Sequence, residues 1–301
     1  MALARPQVGW RRFLRRYGWC YFFVSPALLF LGVFWAYPVL RSLALAFMWL
    51  DLRTGATTFV GLRNFQDSLA NPVFWLAIRN TVVYSLVVVP VGLLTTIVLS
   101  GLVFHLGPRA QIFYKAAFYL PGVTSIAVLA LIWKWLYNPS IGLLNYLLGL
   151  VGLPPQSWLG DPRLALPSLM FMALAGGHGA GIVLLTAAMG AIPQTIYDAA
   201  RIDGAGPVQE FVHITVPLLR PTILYLLVIS TIASFELFGP VYLMTSGGPN
   251  HATTTIVYYI YEQAFELFQF GYASAMAFLF MIALVAIAFL QYRLFSTDVE
   301  Y

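Results

Sequence analysis

The chain has 301 residues, of which 60% are hydrophobic and 9% charged. Soluble domains carry about 25% charged residues, so this composition excludes a single soluble core and places the chain in a membrane that it crosses several times. The formal net charge of +5 is not a nucleic-acid signal, because Arg5, Arg11, Arg12, Arg15 and Arg16 cluster at the amino terminus, and the single cysteine, Cys20, excludes an internal disulfide.

Residues 1–18 read as a basic cytoplasmic segment facing anionic lipid. They precede an apolar run too long for a signal-peptide core and without a small-residue cleavage site. A span needs about 20 mostly apolar residues. Six segments qualify: 19–47, 75–103, 113–137, 164–192, 219–244 and 270–294. The expected fold is therefore all-α, one polytopic domain over 19–301 with six transmembrane helices. Interior prolines (Pro26, Pro38, Pro90, Pro121 and Pro240) predict kinks in several spans. The outer connections 50–74, 138–163 and 245–269 carry turn clusters such as Asn138-Pro139, Pro154-Pro155 and Gly247-Gly248-Pro249.

Orientation follows from lysine and arginine. With the amino terminus inside, the five leading arginines are joined in the cytoplasm by Arg109, Lys115, Arg201, Arg220 and Arg293. Arg41, Arg53, Arg63, Arg79, Lys134 and Arg163 fall outside, the minority of the 16 cations. Both termini are then cytoplasmic, as is the connection 192–221.

That connection, IPQTIYDAARIDGAGPVQEFVHITVPLLRP, is polar enough to leave a membrane, yet lies between two segments that cannot. Pro193 suits the first turn of a helix. Asp198 and Arg201 are three apart on one helix face and can pair. Gly204 tolerates the left-handed conformation that ends a helix. Pro207 can open a second helix, with Phe211, Ile214 and Leu218 at helical spacing. The expectation is a helix–turn–helix knob whose apolar stripe docks in a groove on a soluble partner.

The chain contains no GxxxxGK[ST] sequence, no Cys/His metal spacing and no Ser–His–Asp arrangement, so neither ATP binding by that route nor a membrane enzyme is supported. Glu236 is the acidic residue well inside a span, and an intramembrane carboxylate is a functional candidate. Gly239 and Pro240 should distort the helix there and free backbone carbonyls. With Phe235, Phe238 and Tyr242 they form a candidate sugar site. The alternative is an ion pair of Glu236 with Lys134 or Arg79. His178, in Gly176-Gly177-His178-Gly179, either lines a path or marks close helix packing with one interhelical hydrogen bond. Trp133, Trp135 and Tyr137 read as an interfacial aromatic belt.

The knob resembles the "EAA" loop of permease subunits of bacterial ATP-binding-cassette importers. The pattern appears as Asp198-Ala199-Ala200, Ile202-Asp203-Gly204-Ala205, Phe211, Ile214, Pro217 and Pro221. Asp198 replaces the usual Glu, and Gly206 the usual Ser. The resemblance extends along the chain: Phe59-Val60-Gly61-Leu62-Arg63-Asn64-Phe65 after the first span, Asn80-Thr81, Trp133-Lys134-Trp135, Gly142-Leu143-Leu144-Asn145, Thr245-Ser246-Gly247-Gly248-Pro249 and Gly271-Tyr272-Ala273 are similar to segments of carbohydrate permeases of the oligosaccharide and glycerol-phosphate class. The fourth span departs, with Ala175 and Gly190 in place of a Trp and a Gln.

This resemblance implies a non-catalytic inner-membrane permease that imports a di- or oligosaccharide by alternating access. The implied partners are a second permease, two cytoplasmic ATPases holding ATP and magnesium, and an extracytoplasmic sugar-binding protein. It assigns ATPase coupling to Asp198, Ala199, Ala200, Arg201, Asp203, Gly204, Ala205 and Phe211. Rival readings are a glycerol-phosphate importer, whose substrate would want an arginine, and an ion-coupled carrier, which needs no cytoplasmic knob.

Overall fold

The structure, a computed structural model, describes residues 10–50 and 54–295. Arg5 and Arg53 lie outside the described residues. The first span consists of α1 (Trp10–Leu31), a π-helical turn (Gly32–Ala36) and α2 (Tyr37–Ala46). Helix therefore begins inside the basic segment rather than after it. The π turn precedes Pro38, which has no N–H to donate, and the chain closes there with a Tyr37 N–H to Gly32 carbonyl bond.

A ribbon of β1 (Met48–Leu50) and β2 (Thr57–Phe59) and a helix α3 (Arg63–Ala70) lie between the first and second spans. The strands are antiparallel, with Trp49 opposite Thr58, and they are a small exception to the all-α expectation. The second span is α4 (Pro72–Phe104), 33 residues that pass through Pro90 as one helix. At 1.5 Å per residue it is about 50 Å long, more than a bilayer core requires.

The remaining spans are less regular. α5 (Pro108–Val123) and α6 (Ile126–Leu136) meet at 92°. α8 (Ala165–Leu174) and α9 (Gly179–Gly190) meet at 41°. The expected continuous spans over 113–137 and 164–192 are thus bent pairs. Between them lies α7 (Leu143–Leu150). The knob comprises α10 (Gln194–Ile202), α11 (Pro207–Glu210), a π turn (Phe211–Thr215) and α12 (Val216–Leu218), which turns by 69° into α13 (Arg220–Phe235). A π turn (Val241–Thr245), α14 (Ile256–Tyr261), a π turn (Glu262–Glu266) and α15 (Phe270–Phe295) complete the order. Among the described residues, three helices are long and apolar enough to cross a membrane, or up to six if each bent pair is one span.

Three apolar clusters hold the bundle. One joins Tyr84 of α4 to Tyr137, Leu169 and Val241. A second packs Phe74 and Ala77 against Ile256, Tyr259 and Met276. A third gathers Leu185, Met189, Ile192 and Leu219 beneath the knob. Tyr137 is 2% exposed and donates to the Ser168 carbonyl at 2.7 Å. Trp133 packs edge-on against Phe171. These two belong to the core; Trp135 alone of the expected belt points outward.

The connections after the first, third and fifth spans are folded, not merely turned. Asn64 donates to the Ala46 and Met48 carbonyls and closes the end of the first span. Asn145 donates to the Pro139 and Gln156 carbonyls and accepts from the Trp158 indole. Asn80 donates to the His251 and Thr254 carbonyls, and the Thr81 hydroxyl accepts the Ile256 N–H. Asn80 and Thr81 sit inside α4, beyond its first two turns, and pin the returning connection 245–269 against it.

Candidate functional site

The knob's first helix, α10, follows Pro193, which sits just before the helix at φ −58°, ψ 130° rather than in its first turn. The helix ends in a Schellman turn. The Ala205 N–H donates to the Ala200 carbonyl at 2.9 Å, and the Gly204 N–H to the Arg201 carbonyl at 3.1 Å. This closure requires the left-handed backbone that Gly204 adopts at φ +84°. Gly206 precedes the second helix and has no side chain with which to cap it. The Gln209 carboxamide supplies half of a capping box instead, accepting the Gly206 N–H at 2.9 Å. Pro207 then occupies the first helical position, as its spacing predicts.

Arg201 does meet Asp198, at 3.8 Å between two exposed side chains. Its closer partner is Glu210. The Arg201 Nε donates to Glu210 Oε1 at 2.9 Å and Nη2 to Oε2 at 3.3 Å, a forked pair with a carboxylate that is buried at 6% exposure. The hydrogen bond donated to Glu210, the charge of Glu210 and then that of Asp198 hold the guanidinium above the ordinary arginine range. A second tie joins the Tyr197 and Thr215 hydroxyls at 3.0 Å.

Phe211 faces inward. Its ring lies over Gly101 of α4, where a β-carbon would collide with it. Ile214 and Leu218 are likewise only half exposed, so the expected stripe faces the bundle. The apolar side chains left outward on the knob include Ile202 and Val208, at 87% and 76% exposure. Asp198, Ala199 and Asp203 share this outward surface, while Ala200 and Ala205 are half-buried. Between the knob and the ends of α4 and α9 is a cavity of about 250 Å³, lined by His105, Tyr197, Arg201, Glu210 and Phe211 among others.

The fifth span breaks where Gly239 and Pro240 predict. α13 ends at Phe235, and Glu236 is its C-terminal cap at φ −81°, ψ 16°. The carbonyl of Leu237 released by the break is taken by the Thr255 hydroxyl at 2.7 Å. The Glu236 carboxylate is exposed within the chain and, among the described residues, forms no ion pair. Lys134 donates instead to the Leu243 carbonyl. The pairing of Glu236 with Lys134 or Arg79 is therefore not formed. Glu236 and Phe238 line a cavity of about 270 Å³ with Tyr84, Ile126 and Leu169. Tyr242 stacks on Phe238 at 5.4 Å, and Tyr261 closes on both. Phe235 departs from this group: it stacks on Phe280 of α15 and lines a different, apolar cavity.

His178 stands at the break of the fourth span. Its Nε2 meets the Leu174 carbonyl at 2.8 Å, and its Nδ1 the Thr96 hydroxyl of α4 at 3.0 Å. It thus both caps a freed carbonyl and bridges helices. It also lines a cavity of about 290 Å³ with Gly92, Thr96 and Ser230. This cavity and that of Glu236 share Ala173 and Ala233 as walls, so the two adjoin along α4, α8 and α13.

Glu210 and Thr255 are residues of the candidate sites that sequence reasoning missed; for Glu210 a signal existed. The available signal was the one acidic residue in the first turn of the second knob helix, where the helix dipole favours it. Thr255 was missed because nothing local ties it to a carbonyl 18 residues earlier.

A bundle of apolar spans, several broken in the membrane, with a closed helix–turn–helix knob between the fourth and fifth, is the architecture of a transport permease. The likeness to known proteins specifies which kind. The chain belongs to the family described as binding-protein-dependent transport system inner membrane component, whose model matches residues 112–301. It is 34% identical over 284 residues to the probable ABC transporter permease protein YurN of Bacillus subtilis (strain 168), covering 93% of this chain and 97% of that one. It is 32% identical over 294 residues to the lactose transport system permease protein LacF of Rhizobium radiobacter, covering 94% and 96%. Its fold matches a chain in the crystal structure of a bacterial alginate ABC transporter in complex with an alginate pentasaccharide-bound periplasmic protein, with TM-score 0.84, 24% identity and 97% of this chain covered. The chain is thus an inner-membrane permease component of an ABC importer, a membrane subunit and not a catalytic one.

Proposed function

We propose that this chain forms half of the translocation pathway for a di- or oligosaccharide, paired with a second permease and driven by two ATPase subunits that hold ATP and magnesium. An extracytoplasmic sugar-binding protein delivers the solute. The knob lies in the cytoplasm with both termini, and its outward surface of Asp198, Ala199, Ile202, Asp203 and Val208 docks on an ATPase. Phe211 acts from behind that surface, seating the knob on α4. Closure of the ATPases moves the knob and alternates access to the pathway. Reciprocity of coupling then requires that the docked, loaded binding protein stimulate ATP hydrolysis.

The observation that carries the solute reading is Glu236, an unpaired carboxylate at a helix break beside stacked Phe238 and Tyr242. Aromatic faces and a hydrogen-bond acceptor suit a neutral polyhydroxylated solute. A phosphate ester would be repelled, which disfavours the glycerol-phosphate reading. The adjoining cavity of His178 continues the path.

The test is affinity purification of the tagged chain from its native membrane. A second permease and a Walker-containing ATPase should co-purify, and proteoliposomes of the complex with its binding protein should take up a labelled oligosaccharide only with ATP. Glu236→Gln should assemble and hydrolyse ATP normally with reduced uptake, and Glu236→Ala should reduce uptake further. A chain that purifies without an ATPase would overturn the reading. A Gln variant that fails to assemble would remove Glu236 from the path.

A further inference from the structure

α10 carries the exposed Asp198, Ala199 and Ile202 of the knob and has no fully buried residue of its own. Ile196 and Tyr197 contribute partial packing against the cluster beneath it. Its angle against the helix that follows therefore depends on ties across the turn. Two are present, Tyr197 to Thr215 and the fork of Arg201 on Glu210. The fork is the stronger. Arg201 lies in the last turn of α10 and Glu210 in the first turn of its successor, so each charge sits at the helix end whose dipole favours it. Burial of Glu210 adds directionality: a carboxylate at 6% exposure is costly without its partner, so the pair stays closed. Two parallel N–H···O bonds also fix orientation, which a single point contact does not.

The continuation of the second helix decides what this rigidity is for. The stretch Pro207–Leu218 bends by 69° directly into Arg220–Phe235 of the fifth span, through Leu219 at 1% exposure. A displacement of α10 reaches the span through the fork and that buried corner. We propose that the Arg201–Glu210 pair is a positioning element, which locks α10 to the helix entering the fifth span so that the ATPase stroke is delivered to the pathway. This rests on the docking role of the knob proposed above.

The experiment uses the purified complex and three variants: Glu210→Gln, Arg201→Lys and the double Arg201→Gln/Glu210→Gln. Nitroxides placed at exposed Thr195 and Val212, as cysteines in a Cys20→Ser background, report the distance distribution between the two knob helices. Retention of the ATPase on purification reports docking. Arg201→Lys keeps the charge and removes the fork, so it separates positioning from neutralisation. The expected result is a distribution at least twofold broader in both single variants, ATPase retention reduced severalfold, and no further loss in the double variant. Native width in both single variants would overturn the proposal. So would broadening with native retention, or lost retention with native width, the latter making Arg201 a direct partner contact. Variants absent from the membrane would make the pair a folding element and overturn it as well. If the native chain retains no ATPase, the docking role itself fails, and the distance measurement remains interpretable without it.

Discussion

Gly204 has φ +84° and open space where a β-carbon would stand, so a side chain there meets backbone strain and no clash. A left-handed conformation costs an ordinary residue about 1–2 kcal/mol, and a β-branched one resists it further. Gly204→Val should therefore open the Schellman turn, while Gly204→Asn, tolerant of this region, should keep it. The measurement is ATPase retention by the purified permease: near native for Asn, reduced for Ala, lowest for Val. Equal retention in Val and Asn would show that the turn does not govern docking. The need for Gly204 was legible because a glycine after a polar helix has one common use. Glu210 was not legible, since spacing rules pair residues three or four apart on one helix and its partner lies nine residues away across a turn. Glu236 was legible as a carboxylate within an apolar segment, but whether it was paired depended on where Lys134 and Arg79 pointed.

The spans were legible at the scale of elements because apolar runs of membrane length leave little choice. Their breaks were harder. The 92° bend between α5 and α6 falls at Thr124 and Ser125, after Pro121 and not at it. The anchoring of the connection 245–269 was hidden because its ties are long-range: Asn80 reaches carbonyls 171 and 174 residues away. Those asparagines lie in segments that resemble carbohydrate permeases, so the resemblance had registered a structural device without revealing its geometry. Asn80→Ala removes the donor and strands the buried Thr254 carbonyl, an unmade bond costing about 1–3 kcal/mol, while the His251 carbonyl keeps the Thr254 N–H. The expected consequence is a loosened connection 245–269 with α4 intact. Limited proteolysis of the detergent-purified chain should cut within 245–269 several-fold faster than in the native protein. Unchanged cleavage would mean that Thr81 and the threonines at 253–255 hold the connection alone.

For the whole molecule, the direction of insertion decides whether the knob can meet an ATPase at all. The positive-inside excess predicts a cytoplasmic position for residues 192–221, on the side of the basic amino-terminal segment. With each bent pair counted as one span, the knob after α9 falls on the opposite side from the connections that hold the ribbon, α7 and α14. Accessibility to a membrane-impermeant maleimide tests this directly. In a Cys20→Ser background, Ser140→Cys lies in the connection before α7 and Thr195→Cys in α10, both at exposed positions. In intact spheroplasts Ser140→Cys should be labelled and Thr195→Cys protected, with the order reversed in inside-out vesicles. Labelling of Thr195→Cys from outside would put the knob on the wrong side of the membrane, and the coupling role of Asp198 through Phe211 would fall with it, because no ATPase charged from cytoplasmic ATP could reach that surface.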